Sequence, residues 1–412
     1  MMKKFLMNKM PQTLLVFVNI LSMFLLYFYK ERFDKSILIS VILLVATIYI
    51  SNYILLKISS GDHYLFLVVS MLSSIGIIMI YRLNPVYGFR QIIWFGVGIV
   101  FYFIFYFCVK RIKGWKKWLN GYFIISMILF VVTQVLGTKI KGATNWIRIG
   151  GIGIQPSEII KIIFVFYLAS YYTNYTKKAN EKYKFLGVVY SYIAFLFIQR
   201  DLGTAMIFCF VFFIILYIYE EDRKLIYYQI IGGLIIGIVS SFLIHHVQVR
   251  FIAWFNPWEY IEKEGYQITQ SLFAIGAGGF FGTGIGLGHP EFIPEVHTDF
   301  IFSAICEEMG IFGGIAVIML FLILVYRGFK IALNQYDKFF KIVAIGITTT
   351  LGFQAFIIVG GVIKMIPLTG VTLPFVSYGG SSLVASFAAL GILQVASEEI
   401  QMEQEEGDGY NS

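Results

Sequence analysis

The sequence predicts an all-α protein that crosses a membrane many times, and three observations carry that expectation. Of its 412 residues 58% are hydrophobic and 14% charged, more apolar surface than a soluble chain of this length can hide. The apolar residues gather into runs of about the 20 residues that a helix needs to span the hydrocarbon core. No long polar stretch separates them, so one membrane domain is expected.

The runs number about twelve, near 13–30, 36–56, 63–82, 88–109, 118–136, 156–174, 184–199, 202–219, 225–245, 301–326, 339–362 and 380–397. Positive side chains are retained on the cytoplasmic side. With the N-terminus inside, the inner segments hold 19 Lys and Arg and the outer ones 12, leaving Lys161 within a helix. Both termini are therefore expected in the cytoplasm. The net charge of +8 reads as this bias together with attraction to anionic lipid, not as nucleic-acid binding. Lys3, Lys4 and Lys9 precede the first run, but no small-residue cleavage site closes it, so a retained helix is expected rather than a signal peptide. Cys108, Cys209 and Cys306 all fall in apolar runs and read as small buried hydrophobes, with neither a disulfide framework nor a metal-binding spacing. The histidines show no zinc spacing, and His245 with His246 reads as the polar end of a helix. Residues 398–412 form an acidic tail, of which Glu398 to Asp408 is expected to be a disordered, solvated end.

Under this topology the polar, motif-bearing segments gather on the outer side. The longest, about 246–298, lies between the ninth and tenth spans and holds Asn256-Pro257-Trp258, Gly265-Tyr266-Gln267 and a glycine-rich run at 276–288. Alternating glycines permit tight turns; the run reads as a flexible re-entrant connector or as a phosphate-cradling nest, although no P-loop lysine and serine follow it. It ends at Glu295-Val296-His297-Thr298-Asp299-Phe300, ionisable groups at a membrane edge, where such groups are usually kept for function. Asp299 reads equally well as a helix N-cap.

A second outer loop, residues 142–148, contains Trp146 and Arg148 and leads to Pro156, suited to a first helical turn. Glu158 and Lys161 follow at the i, i+3 spacing that puts both on one face, as a structural ion pair or as part of a site. A third outer segment, 367–382, sets Ser377, Ser381 and Ser382 among prolines and glycines. Non-helical backbone at membrane depth survives only buried in protein or lining a cavity, so these hydroxyls either meet a substrate or satisfy broken backbone.

In order and spacing these segments, with Gln199-Arg200-Asp201-Leu202-Gly203-Thr204, Gln270-Ser271-Leu272 and residues 297–308, resemble the SEDS family that includes FtsW, RodA and SpoVE. The correspondence runs from about Asp62 to Ser397. Three positions depart from the family's pattern: Arg200 where Pro is usual, Ile358 where Asn is usual, and Lys364 where a small residue, usually Gly, stands. The family usually has ten spans. The resemblance therefore implies two extra helices in residues 1–60, a core at 61–397 and the acidic tail at 398–412.

The resemblance further implies a multi-pass protein of the bacterial cytoplasmic membrane that polymerises lipid II into peptidoglycan strands, with a class B penicillin-binding protein as partner. An α-linked donor and a β-1,4 product require inversion, hence a base for the acceptor hydroxyl. The implied base is Asp299, with His297 tuning it or binding substrate; Glu291, Glu295 and Glu307 are weaker candidates. The leaving pyrophosphate calls for cations, drawn from Lys161, Arg148, Arg200 and Arg250, with Lys161 foremost. A magnesium or manganese ion suits carboxylate and pyrophosphate oxygens, but no ligand set is visible. Trp146, Glu158, Gln267 and the three serines complete the substrate-binding candidates. The alternatives are a lipid II flippase, with Glu158 and Lys161 on a polar path, and a non-catalytic division or sporulation scaffold.

Overall fold

The computed structural model describes residues 12–22, 24, 35–140, 142–174, 179–243 and 245–409. The first expected span, 13–30, lies partly outside them; its described part is helix α1 (Gln12–Ser22). The helices that follow are α2 (Lys35–Ile58), α3 (His63–Leu83), α4 (Pro85–Arg111), α5 (Leu119–Leu136), α6 (Pro156–Asn174), α7 (Ala179–Ile198) and α8 (Leu202–Tyr219). Then come α9 (Arg223–Leu243), α10 (His245–Phe255), α11 (Tyr266–Gly278), α12 (Ile301–Asn334), α13 (Lys338–Val362) and α14 (Gly380–Gly409). Among the described residues eight helices have the length and apolar character to cross a membrane: α2, α3, α4, α5, α8, α12, α13 and α14. Helices α6, α7 and α9, which are not among these eight, cover most of the expected spans at 156–174, 184–199 and 225–245. Charges interrupt two of these, Glu158 and Lys161 in α6 and Glu181, Lys182 and Lys184 in α7.

Burial sorts centre from periphery. Of the spanning windows, 83% of α3, 78% of α13 and 83% of α14 is buried, against 22% of α5. Helix α14 packs along α4, and α13 touches α6, α8, α12 and α14. Exposed Ile124, Ile128, Val131 and Val135 on α5 are what a lipid-facing surface presents, since no water penalises apolar exposure there.

Three expectations are corrected. The outer loop at 142–148 is a strand: β1 (Thr138–Ile140), β2 (Ala143–Ile149) and β3 (Ile152–Ile154) form an antiparallel sheet in that order. Ile149 faces Ile152 across Gly150 and Gly151, whose φ values of 57° and 84° supply the two left-handed residues that a tight hairpin turn needs. The outer segment 246–298 is not a loop throughout, because α10 and α11 lie in it. The third correction concerns the tail: the backbone of α14 stays helical to Gly409 and Glu398 is buried, so 398–408 is not an irregular end.

The glycine-rich run is fixed rather than flexible. Helix α12, at 34 residues, would be about 51 Å long if unbroken, well past the ~30 Å hydrocarbon core. It breaks at Gly310 (φ 71°, ψ −176°). The carbonyls freed at the break accept from the run: Thr283 N–H donates to Glu307 O (2.9 Å) and Gly284 N–H to Glu308 O (3.0 Å), while Ile311 N–H donates to Gly279 O (2.9 Å). Gly286 and His289 N–H donate to the Glu308 and Glu307 carboxylates (3.0 and 2.7 Å). These donors are thus committed to acidic groups of the protein and do not form an open phosphate nest.

Candidate functional site

The site is built where three elements meet the outer segment between α13 and α14. Glu295 adopts φ 58°, and its carbonyl accepts from Thr298 N–H, Asp299 N–H and the Thr298 hydroxyl, each at 3.1 Å. That turn delivers Asp299 just ahead of α12, whose cap position is Phe300 without a side-chain capping bond. Asp299 is therefore not the N-cap. Its carboxylate is half-buried.

The turn is clamped to the segment at 373–379. Tyr378 N–H donates to His297 O (2.8 Å) and the Ser377 hydroxyl to Thr298 O (2.5 Å). Leu373 N–H donates to Ser377 Oγ (2.9 Å), and Gln91 of α4 donates to Ser377 O (3.0 Å). The Tyr87 ring covers His297 and Tyr378 at centroid distances of 4.9 and 5.0 Å. The Ser377 hydroxyl is thus spent on backbone, as is expected of irregular chain at membrane depth.

Helix α10 holds the other end of this segment. Arg250 and Trp254, four apart and so on one face, donate to Thr369 O (3.0 Å) and Lys364 O (3.1 Å). A Cβ built on Gly370 would stand 3.6 Å from Arg250 Nη2 and 3.9 Å from Asp299 Oδ2, so both side chains converge on that residue. Burial pushes the Arg250 guanidinium below its ordinary pKa, opposed by the fields of Asp299 and Asp201; an arginine remains charged all the same.

Asp201 stands in the Gln199–Thr204 motif but was not among the candidate site residues. Its Oδ2 accepts from Asn145 (3.0 Å), Gln155 (3.1 Å) and Ser157 (3.4 Å), and its Oδ1 from Thr204 N–H (3.2 Å). One carboxylate therefore ties β2, the start of α6 and the start of α8 together and faces Arg250. Its signal was its place in that motif, but its position as the N-cap of an apolar helix explains an Asp there without a further role.

Glu158 and Lys161 form the expected pair at 2.9 Å, 3% and 6% exposed. Lys161 also donates to Gln354 Oε1 (2.9 Å), and both residues line a small cleft with Thr350, Gln354 and Ser386. The Ser382 hydroxyl accepts from Thr372 (2.8 Å), whereas the Ser381 hydroxyl is buried with no hydrogen-bond partner among the described residues. Trp146 lies in β2 with its ring against Gly153, and Gln267 is half-exposed on the first turn of α11; neither touches the Asp299–Arg250 cluster in the contacts described above. Arg148 and Arg200 are exposed.

A half-buried carboxylate and a partly buried guanidinium, brought together beside irregular backbone at one end of a helical bundle, give a polytopic membrane protein with a polar site. Residues 62–402 match the family model described as cell cycle protein, FtsW/RodA/SpoVE. The chain belongs to that family. It is 34% identical to stage V sporulation protein E of Bacillus subtilis over 82% of this chain and 97% of the relative. It is 32% identical to the peptidoglycan glycosyltransferase RodA of Mycobacterium leprae over 81% and 77%. The fold matches a chain of a peptidoglycan synthase complex, solved in work on the structural coordination of polymerization and crosslinking, with TM-score 0.70 and 24% identity over 83% of this chain and 98% of that one. The rod shape determining protein RodA of Thermus thermophilus matches with TM-score 0.63 and 24% identity over 82% and 97%.

Proposed function

We propose that this protein is a peptidoglycan glycosyltransferase that polymerises lipid II with inversion, using Asp299 as general base. The acceptor's 4-hydroxyl attacks the anomeric carbon of the donor, its proton passes to the Asp299 carboxylate, and the bond to pyrophosphate breaks, releasing undecaprenyl pyrophosphate. The observation that carries this reading is the convergence of Asp299 and Arg250 on Gly370. A relative of 32% identity named a peptidoglycan glycosyltransferase supports the substrate class.

Arg250, rather than the internally paired Lys161, is the cation we assign to the departing pyrophosphate, whose growing charge needs a fixed donor. Ser381 is the serine we assign to substrate. Among the described residues no three His, Cys, Asp or Glu side chains converge on one point. A magnesium or manganese requirement is proposed with the pyrophosphate oxygens as the main ligands. We also propose twelve spans, two of them preceding the ten-helix core, both termini in the cytoplasm, and a class B penicillin-binding protein as partner.

The test is polymerisation of purified lipid II in liposomes, with and without a class B transpeptidase, by wild type and Asp299→Asn. Loss of a general base lowers turnover about 10²- to 10⁴-fold. Polymer from both proteins would remove Asp299 from the role. No polymer from either, with partner and magnesium present, would move the reading to transport or scaffolding.

A further inference from the structure

The centre of the segment between α13 and α14 is held by a residue that no motif singled out. Gln354, on α13, is 1% exposed. Its Oε1 accepts from Lys161 Nζ (2.9 Å) and its Nε2 donates to Thr372 O (2.8 Å). An ammonium can only donate and a carbonyl can only accept, so the two partners dictate the orientation of the amide. Lys161 is itself fixed by Glu158 at 2.9 Å. The result is a buried chain of polar contacts from α6 through α13 to Thr372, two residues from Gly370, on which Arg250 and Asp299 converge.

We propose that Gln354 is a positioning residue for the polymerase reaction: its amide transmits the fixed Glu158–Lys161 pair to the Thr372 carbonyl and thereby sets the backbone against which Arg250 and Asp299 meet. This rests on the glycosyltransferase reading above. The rest of the segment is pinned at Lys364 and Thr369 by α10 and at Ser377 and Tyr378 by the Asp299 turn. Between those pins lies Thr372, where Gln354 and Ser382 are its partners. A glutamine that merely glued helices together would change stability and leave turnover alone. A misplacement near 1 Å at a reacting centre costs about a hundredfold in rate.

Two substitutions separate the halves of the contact. Gln354→Leu removes both bonds. Gln354→Glu keeps an acceptor for Lys161 but replaces the donor to Thr372 with an oxygen that repels it. Both are expected to lower kcat for lipid II roughly ten- to a hundredfold with KM nearly unchanged, the signature of a contact that matters in the transition state. Both are also expected to speed hydrogen–deuterium exchange at Val376, Ser377 and Tyr378 while leaving α3 protected. If Gln354→Leu does not elute as a folded species, Gln354→Glu alone decides. Wild-type kcat in Gln354→Glu across neutral to alkaline pH would overturn the proposal, because an ionised carboxylate there cannot donate to Thr372. If wild type itself makes no polymer, the reaction reading fails separately. Exchange then decides: faster exchange at 376–378 upholds the positioning role, and unchanged exchange overturns it.

Discussion

Arg250 and Lys161 were interchangeable as candidate cations in the sequence, and their surroundings make them unlike. Lys161 is a point charge enclosed by Glu158 and Gln354. Arg250 spreads its donors, with Nη1 on Thr369 O and Nη2 on the side of Gly370 that faces Asp299. A lysine in its place has one compact ammonium, which cannot hold the carbonyl and face the carboxylate together. Arg250→Lys is accordingly expected to lose about 1.5–3 kcal/mol, the range for hydrogen bonds to charged groups, or roughly ten- to a hundredfold in kcat/KM. Steady-state polymerisation measures it, and a Lys variant as active as wild type would mean that charge alone matters at this position. The departures from the family's pattern also find their meaning at this scale. Lys364 takes φ 63°, the left-handed region that favours the glycine usual there. Arg200 takes φ 59°, a value closed to proline, so this turn follows a different backbone path from one built on the usual residue.

Among elements, the break in α12 shows what periodicity conveys and what it leaves out. The apolar run beginning at 301 announces a span, and the run at 276–288 announces unusual backbone, but nothing in either says that the two lock together. Their fit is set by backbone atoms, which leave no side-chain signature beyond glycine itself. A Cβ on Gly310 would lie 2.3 Å from Phe280 O, and its φ and ψ fall in a region essentially reserved for glycine. Gly310→Ala is therefore expected to cost about 1–3 kcal/mol in backbone strain, with the contact to Phe280 O adding to it, seen as a lower thermal midpoint in detergent and poorer recovery of folded protein. An alanine variant of unchanged midpoint would mean that the helix passes this point without the break. The small sheet illustrates a similar limit. Residues 142–148 alternate Thr, Trp and Arg with Asn and Ile, yet a run so short beside spans of 20 residues reads as a connector. Only the pairing of Ile147 with Ile154 and Arg148 with Gly153 makes it structure.

Across the whole molecule, the all-α, membrane-crossing character was legible because hydrophobic length is the strongest signal a membrane chain carries, and eight of the expected runs are helices long and apolar enough to span. At the candidate site, Asp299, Glu158 and Lys161 stood out as titratable residues in motifs, whereas Asp201, although within the Gln199–Thr204 motif, and Gln354 tie elements together through long-range contacts that no local pattern encodes. The end of the bundle away from the candidate site hides a clasp of the same kind. Asp62 pairs with Arg327 (2.7 Å), and Glu398 pairs with Lys110 (2.7 Å) and accepts from the Tyr106 hydroxyl (2.5 Å). Since α14 begins at the site and reaches Glu398 at the other end, this clasp fixes the helix on which Ser381 and Ser382 stand. Breaking a fully buried pair costs about 3–5 kcal/mol. Here the Lys110 side chain is 38% exposed while that of Glu398 is 3% exposed, and solvent screening at the lysine reduces the expectation to about 1–3 kcal/mol. Glu398→Ala should lower the thermal midpoint accordingly. A chain ended after Gln401 keeps the clasp and should stay within about 0.5 kcal/mol of the full protein. If the truncation instead destabilises as much as Glu398→Ala, the helical extension beyond residue 401 holds α14 in place, and the clasp at Glu398 does not.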